Sequence, residues 1–114
     1  MVELITPPDL LCQILDRVRA VADRNARDGD PSLRELRREI DGMDEDHRHE
    51  LVALLWVGRG DYEEEEWEEA LAAAAERDTG PTSAYLLGDP LVADEIAAGL
   101  EALGHDHLLR DGAY

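Results

Sequence analysis

The sequence predicts an all-α protein, a compact single-domain bundle of five or six short helices. Apolar residues recur at helical spacing along almost the whole chain, and no segment keeps the strict alternation of a half-buried strand. The apolar residues are mostly aliphatic, with 17 Leu and 15 Ala but no Phe. A chain of 114 residues buries a modest core in one domain. We therefore expect one helical domain over residues 1–114, with an extended arm at 1–6 and a polar tail at 105–114.

The first predicted helix covers residues 8–27 and follows the arm directly. Thr6 is placed to cap this helix, and Pro7 and Pro8 suit its first turn. Its apolar side chains form the buried stripe of a surface helix: Leu10, Leu11, Ile14, Leu15, Val18, Val21 and Ala22. The arm is apolar and extended in character, and three outcomes stay open for it: docking on the body of the protein, reaching a second subunit, or fraying.

Two further helices are predicted in the middle of the chain. Ser32 and Glu35 have the spacing of a capping box, which predicts a short second helix. The third helix begins after Asp44, whose side chain can cap it, and ends at Gly58 and Gly60. It is the most apolar helix, so we place it at the centre of the core. The side chains that we expect these two helices to bury are Leu33, Leu36, Ile40, Leu51, Leu54, Leu55 and Trp56.

The fourth helix is predicted over residues 63–77, with a core face of Trp67, Ala70, Leu71 and Ala74. A short helical turn follows at 85–87. The last helix has Asp89 as its cap and Pro90 at its first position, and Gly104 closes it. The side chains that we expect it to bury are Leu91, Val92, Ile96, Leu100 and Leu103.

The charge of the chain is strongly negative and unevenly distributed. Asp and Glu number 28 against 11 basic residues, for a formal net charge of −17. Residues 1–40 carry eight acids and seven Arg, whereas residues 41–114 carry 20 acids and four Arg. Because binding to a phosphate backbone requires a basic surface, we predict no direct contact with nucleic acid.

The densest negative charge lies at residues 61–69, around the start of the fourth helix. No Arg stands four positions after any of its Glu residues, so pairs within the helix cannot neutralise them. One interpretation is a solvated acidic face that keeps the protein soluble. The other pairs this face with arginines of the first two helices, within one chain or across a symmetric dimer. The arginines considered are Arg17, Arg24, Arg34, Arg38 and, as the best placed, Arg37.

One pattern resembles a calcium-binding loop. Asp28, Asp30, Ser32 and Glu39 match positions 1, 3, 5 and 12 of that loop, but Leu33 stands where its turn requires Gly. We therefore favour an acidic loop followed by a capped helix.

The histidines and the cysteine suggest no chemistry of their own. His47 and His49 are two positions apart on a helix and point to different faces. His105 and His107 have chelating spacing, but no third ligand is evident. Cys12 borders the apolar stripe of the first helix, which indicates a half-buried structural thiol. We therefore predict no metal and no cofactor.

The segment Gly58-Arg59-Gly60-Asp61 is predicted to be a helix stop in which Arg59 and Asp61 tie the turn together. A phosphate cradle is disfavoured, because four consecutive Glu follow where the anion would bind. The tripeptide Arg-Gly-Asp matches a cell-adhesion ligand, but we expect no export of this chain.

The sequence predicts a cytoplasmic protein. Its first 15 residues lack the basic start and the apolar run of a signal peptide. The longest wholly apolar stretch is seven residues, against the roughly 20 that cross a bilayer, so we predict no membrane contact. A single cysteine excludes an intrachain disulfide.

Several segments together resemble a known family. They are Leu51-Val-Ala-Leu-Leu-Trp-Val-Gly-Arg-Gly-Asp61, Trp67-Glu-Glu-Ala-Leu71, Thr79-Gly-Pro-Thr82 and Tyr85-Leu-Leu-Gly88. Over roughly residues 34–104 the chain is similar to the small bacterial domain-of-unknown-function family numbered 3775. The resemblance implies a helical domain and brings no activity, cofactor or catalytic residue. It also implies that a shared binding surface involves the signature region, which is Trp56, Gly58, Arg59, Gly60, Asp61 and Trp67.

We expect a non-enzymatic protein-interaction module that self-associates or presents its acidic fourth helix to a basic partner protein. The candidate interaction residues are Trp56, Arg59, Asp61, Glu63, Glu64, Glu65, Glu66 and Trp67. Two alternatives stay open. A DNA mimic would align the acids of 61–69 with those of 44–50 in one exposed stripe. A metal- or ligand-binding protein would have a deep pocket holding clustered His and acidic groups.

Overall fold

The computed structural model describes residues 2–23, 29–78 and 80–105, and within these ranges the chain forms helices and no strand. The helices are α1 (Pro8–Asp23), α2 (Pro31–Asp41), α3 (Glu45–Arg59), α4 (Trp67–Glu76), α5 (Thr82–Leu87) and α6 (Val92–Ala102), and a 3₁₀ turn at Glu64–Glu66 precedes α4. The predicted all-α bundle of short helices is confirmed. Arg24, Asp28, Thr79, His107 and the rest of the predicted tail after His105 lie outside the described residues.

The core forms around α3, which packs against α6, α4 and α5. Its predicted inward side chains Leu51, Leu54, Leu55 and Trp56 are all buried. α2 packs against α1 and α5, and buried apolar side chains from all six α-helices join in one cluster. Each amphipathic helix thus removes its apolar stripe from water by covering the stripe of a neighbour.

The crossing of α3 and α6 depends on two glycines. A Cβ atom on Gly58 would overlap the backbone carbonyl of Glu95, and one on Gly99 would overlap the backbone carbonyl of Leu54. The two helix backbones therefore touch, where ordinary side chains would keep the axes roughly 8–10 Å apart. The prediction that Gly58 ends α3 is wrong, because the helix continues past it to Gly60. That residue ends the helix with a left-handed φ of 88°, as predicted.

The start of α2 differs from the prediction. Asp30 is its N-cap and accepts a hydrogen bond from the backbone N–H of Ser32 at 2.8 Å. The predicted capping box of Ser32 and Glu35 is wrong, because the helix already begins at Pro31. Proline suits this first position, since it has no N–H to leave unpaired and its φ is already helical. The disfavoured calcium loop does not form, because residues 31–41 are helical.

The starts of α3 and α4 also correct the predictions. Asp44 occupies the N-cap position of α3, but its side chain makes no capping hydrogen bond. The fourth helix was predicted from residue 63, whereas α4 begins at Trp67 after the 3₁₀ turn. Glu63 and Glu66 form a capping box around that turn, with Glu66 Oε1 accepting from the Glu63 N–H at 2.9 Å. These two glutamates therefore stabilise the helix start.

The last helix begins two residues later than predicted. Asp89 accepts a hydrogen bond from the Leu91 N–H at 2.9 Å, and α6 begins at Val92 rather than at Pro90. Leu91 was predicted to be buried and is 56% exposed. It precedes the helix and so does not share the stripe that α6 buries. The predicted stop at Gly104 is confirmed by its positive φ of 84°.

The short helix α5 is held at its N-terminus by α2. The carboxylate of Asp41 accepts hydrogen bonds from the backbone N–H of Ser83 at 2.9 Å and from its hydroxyl at 2.7 Å. Ser83 is buried, so this contact satisfies polar groups that water does not reach. The predicted helical turn at 85–87 is confirmed as part of α5.

The N-terminal arm docks on the body of the protein through Glu50 of α3. The Glu50 carboxylate accepts hydrogen bonds from the backbone N–H groups of Ile5 and Thr6, both at 2.8 Å, and from the Thr6 hydroxyl. Thr6 does not cap α1 as predicted, since α1 begins only after Pro7. His105 donates to the carbonyl of Val2 and holds the start of the arm. Docking on the body of the protein was one of the three outcomes left open for the arm, and it is the one that the structure has.

Gly99→Ala is expected to lower the free energy of unfolding by about 1–3 kcal/mol, because the new methyl group meets backbone that cannot rotate away. This cost outweighs the gain of up to about 1 kcal/mol that Ala brings to a helix interior. Urea denaturation measures the difference. Gly80→Ala is the matched control, since a Cβ there meets nothing within 4 Å. An unchanged free energy of unfolding for Gly99→Ala would contradict the close crossing of α3 and α6.

Glu50→Gln is expected to lower the free energy of unfolding by about 1–3 kcal/mol, because an amide cannot accept all the hydrogen bonds that the carboxylate receives from the arm. Hydrogen exchange at the amides of Ile5 and Thr6 should accelerate, as the arm loses its anchor. Glu101→Gln changes an exposed carboxylate in the same way and serves as control. Wild-type exchange rates at both amides would show that Glu50 does not hold the arm.

Candidate functional site

A cleft of about 250 Å³ lies between α3, the end of α4 and α5, and we call it the aromatic cleft. Its α3 wall is built by residues one helical turn apart, which share one face of the helix. The loop between α4 and α5 closes the opposite side. The lining residues are His49, Val52, Trp56, Ala74, Arg77, Asp78, Gly80, Pro81, Thr82 and Tyr85.

The aromatic side of this cleft is organised by Trp56. Its indole N–H donates a hydrogen bond to the Tyr85 hydroxyl at 2.8 Å, and the Arg77 guanidinium lies 5.5 Å from the centre of its ring. The ring of Tyr62 packs beside it at a centroid distance of 5.9 Å. Trp56 is 5% exposed whereas Tyr85 is 48% exposed. The tryptophan is therefore part of the core, and Tyr85 and Arg77 are the groups that a ligand in the cleft would meet.

The polar side of the cleft is built around Asp78, which follows α4. Asp78 Oδ2 lies 3.0 Å from His49 Nε2 and 3.8 Å from Arg48 Nη1. The Arg48 side chain also donates to the Met43 carbonyl at 3.2 Å and to the Thr82 hydroxyl at 3.4 Å. His49 is 8% exposed, so its ring is held in one orientation by the surrounding packing and by Asp78.

Residues 58–61 of the signature region, which we call the signature turn, border this cleft at the end of α3. Arg59 Nε lies 3.5 Å from Asp61 Oδ2, which confirms that these two residues tie the turn together. A hydrogen bond with the Tyr85 hydroxyl raises the pKa of the Arg59 guanidinium. Tyr85 therefore connects the turn to Trp56 in the cleft.

Two carboxyl groups near this turn share a hydrogen bond. Burial and the hydrogen bond with Asp89 raise the pKa of Glu95, while the same hydrogen bond and one from the Leu91 backbone lower the pKa of Asp89. The two shifts are opposite, so the ionised form is favoured at Asp89 and disfavoured at Glu95. The positive charge of Arg59 favours the ionised form of both. Within the turn before α6, Asp89 is held by the hydrogen bond from the Leu91 N–H.

A second concavity, about 460 Å³ in volume, lies between the arm, the start of α3 and α4, and we call it the acidic groove. It has an apolar floor, and the carboxylates of Glu3, Asp46 and Glu68 line it. His49 belongs to both concavities and separates them. The full lining is Glu3, Ile5, Asp46, His49, Glu50, Trp67, Glu68, Leu71, Ala72 and Ala75.

The candidate interaction residues do not form one site. Trp56 lines the aromatic cleft, and Arg59 and Asp61 form the turn beside it. Trp67 is buried under the acidic groove. Of the four glutamates of the acidic run, Glu63 and Glu66 form the capping box, whereas Glu64 is half-buried and Glu65 is exposed.

His49 and Asp78 were not among the predicted interaction residues, and Glu50 and Glu68 were considered only within the acidic segments 44–50 and 61–69. The spacing of Glu45 and His49, four apart on a helix, was the available signal, but His49 was compared with His47 instead. The partner of His49 lies just after α4, 29 positions away, and the partner of Glu50 lies in the arm, 44 positions away. Sequence spacing gives no information about contacts over such distances.

One of the arginines considered for the acidic fourth helix pairs elsewhere within the chain, and pairing across a dimer stays a prediction. Arg17 forms an ion pair with Glu39 of α2, not with the acidic fourth helix. Two arginines lie at the end of α4, Arg48 beside Asp78 and Arg77 above Trp56. The exposed glutamates of α4 thus keep their negative charge toward solvent.

The thiol of Cys12 is buried more deeply than predicted, at 3% exposure. Burial raises the pKa of this thiol, and the negative charges of Asp9 and Asp16 raise it further. A high pKa keeps the sulfur in its unreactive neutral form, which agrees with the predicted structural thiol.

The family comparison agrees with the predicted resemblance. The sequence model described as "Protein of unknown function (DUF3775)" matches residues 33–105. This range includes all the residues that line the aromatic cleft, but it leaves out the arm and α1. No curated protein and no solved structure matches the chain. None of the described helices is both long and apolar enough to cross a membrane.

Tyr85→Phe is expected to lower the free energy of unfolding by about 1–2 kcal/mol, because the indole N–H of the buried Trp56 loses its acceptor. Hydrogen exchange of that indole N–H, followed by NMR, should accelerate. Tyr62→Phe is the control, since it keeps the ring that packs beside Trp56. Equal stability of Tyr85→Phe and wild type would mean that the hydrogen bond contributes nothing to the cleft.

Proposed function

We propose that this chain, which belongs to the DUF3775 family of proteins of unknown function, is a non-enzymatic protein-interaction module that binds a basic segment of a partner protein in its acidic groove. The observation that carries the proposal is the composition of this groove, an apolar floor with the carboxylates of Glu3, Asp46 and Glu68 along it. A helix with basic residues beside an apolar stripe complements both features.

The floor of the groove supports a helical occupant. Ile5 from the arm is 58% exposed, and Leu71 of α4 is half-buried beside it. Ala72 and Ala75 are exposed on the same helix, and their small side chains let another backbone come close. An apolar stripe laid on this floor would remove it from water, which is the main favourable contribution to such an interface.

Charge supports a basic partner. Among the described residues that line the groove there is no arginine to offset its three exposed carboxylates. The net charge of −17 adds an attractive field at longer range, which raises the association rate of a cationic segment. Arg48 and Arg77 lie toward the aromatic cleft, on the other side of His49.

We infer that the groove is not catalytic, because its buried carboxylate, Glu50, already holds the arm. Glu50 accepts three hydrogen bonds from the arm and so is not available as an acid or a base. The exposed acids of the groove lack the burial that adapts a carboxyl group to such a role. We also infer a cytoplasmic location, which is consistent with a single, buried cysteine.

Self-association and DNA mimicry use the same charges. In a dimer, the exposed Arg34 and Arg38 of one protomer would occupy the groove of its partner. A DNA mimic needs carboxylates from the two acidic segments on one surface, and Asp46 and Glu68 do line one groove. The apolar floor between them favours a peptide, because a phosphate backbone has no equivalent of it.

A direct test uses a fluorescent synthetic helix with Lys on one face and Leu on the other, and measures its binding by anisotropy. Replacing Asp46 by Asn and Glu68 by Gln together should weaken binding about five- to thirtyfold at low salt, since each charge contributes about 0.5–1 kcal/mol. The control pair Glu76→Gln and Glu101→Gln removes the same charge from exposed positions outside the groove. A scrambled peptide of equal charge tests the need for an apolar face.

The proposal would be wrong if the groove variant and the Glu76→Gln, Glu101→Gln control lost the same affinity for the peptide. Net charge alone would then attract the peptide. Sedimentation of the unlabelled protein over a range of concentrations tests the dimer, which should dissociate in the groove variant but not in the control. Equal affinity for the ordered and scrambled peptides would favour the DNA mimic over the interaction module.

A further inference from the structure

We propose that Glu45, His49 and Asp78 form a binding site for a divalent transition-metal ion, with Zn²⁺ as the best match. The His49 Nε2 atom lies 3.0 Å from Asp78 Oδ2 and 3.9 Å from Glu45 Oε1. One donor atom from each of the three residues lies within 4.8 Å of the other two. The proposal does not rest on peptide binding in the acidic groove, although His49 lines that groove as well.

These distances fit tetrahedral zinc. Bonds of about 2.0–2.2 Å to nitrogen and oxygen place the ligand atoms of a tetrahedral site roughly 3.3–3.5 Å from one another. The His49–Asp78 and His49–Glu45 distances lie on either side of that value. The Glu45 and Asp78 oxygens lie within 4.8 Å of each other, so the two carboxylates would rotate inward to place all three atoms around one ion. Imidazole nitrogen together with carboxylate oxygen is a donor set that zinc accepts.

The fold provides the ligands in a suitable arrangement. Glu45 and His49 lie four positions apart on the first turns of α3, so their side chains point the same way. Asp78 follows α4 and brings the third ligand from a different element. His49 is more than nine-tenths buried, which holds its ring against Asp78, whereas Glu45 is exposed. Three protein ligands would leave the fourth position of the ion to a water molecule.

Arg48 is the neighbour that competes for Asp78. Its Nη1 atom lies 3.8 Å from the same Oδ2 atom that approaches His49. The guanidinium is also held by the Met43 carbonyl and the Thr82 hydroxyl, so it does not depend on that oxygen. The second oxygen of the Asp78 carboxylate can keep the ion pair while Oδ2 binds the metal. The competing explanation is that His49 and Asp78 form only a structural hydrogen bond, and the test separates the two.

Isothermal titration of the full chain with ZnCl₂ tests the site. We expect one ion per chain. His49→Ala should weaken Zn²⁺ binding at least about tenfold, because the loss of a residue that only hydrogen-bonds to a metal ligand already lowers the affinity by about that factor. His47→Ala is the matched control, because its Nδ1 atom lies 4.0 Å from Asp44 and outside the cluster. A variant in which both His105 and His107 are replaced by Ala measures how much zinc binds at the C-terminus instead.

Asp78→Asn and Glu45→Gln keep the result interpretable if His49→Ala does not fold. Both should weaken Zn²⁺ binding, and the visible absorption of bound Co²⁺ should lose intensity as the tetrahedral ligand set is broken. Thermal denaturation with and without ZnCl₂ gives a second readout, since an ion that binds only the folded chain raises the melting temperature. The wild type and His47→Ala should show this rise, and His49→Ala should not.

Three results would overturn the proposal. The first is no zinc binding by the wild type at millimolar ZnCl₂, which leaves His49 and Asp78 as a structural pair. The second is zinc binding that survives in His49→Ala and disappears when His105 and His107 are replaced. The third is equal weakening by His47→Ala and His49→Ala, which would indicate diffuse attraction of cations to an acidic surface.

Discussion

The direct contact between the backbones of α3 and α6 is the constraint on which the rest of the structure depends. Gly58 and Gly99 leave no side chain between the two helices, so the position of α3 is fixed along much of its length by α6. Helices that touch in this way allow little adjustment, because neither backbone can yield without losing its own hydrogen bonds. The signature turn begins at this contact, and its position is set by the crossing.

From that fixed position α3 organises two surfaces. Its first turns carry Glu45, Asp46 and His49, and its last turns carry Trp56 and Arg59. The buried carboxylate of Glu50 accepts hydrogen bonds from the arm and holds it in place. The arm forms one wall of the acidic groove. The side chain of His49 stands between the groove and the aromatic cleft. A ligand on either side would therefore act on the same buried histidine, and the two proposals concern neighbouring but separate contacts.

The sequence predicted the helices better than their ends and contacts. The apolar stripes of α1, α3 and α6 were found because burial repeats with the period of the helix. The start of α2 was missed because Asp30 and Ser32 are both good capping residues, and only the backbone path into Pro31 decides between them. The prediction that Gly58 stops the helix is wrong because the role of this glycine depends on Glu95 and Gly99, which no local pattern connects to it.

What the sequence alone determined is the class of fold, the family, the net charge and the position of most buried side chains, because these follow from composition and from short-range periodicity. Only the tertiary structure decided which polar groups meet. Trp56 and Tyr85, His49 and Asp78, and Glu50 and the arm lie far apart in the chain. They are brought together by helix packing, and such packing is set by the fit of whole surfaces rather than by any segment.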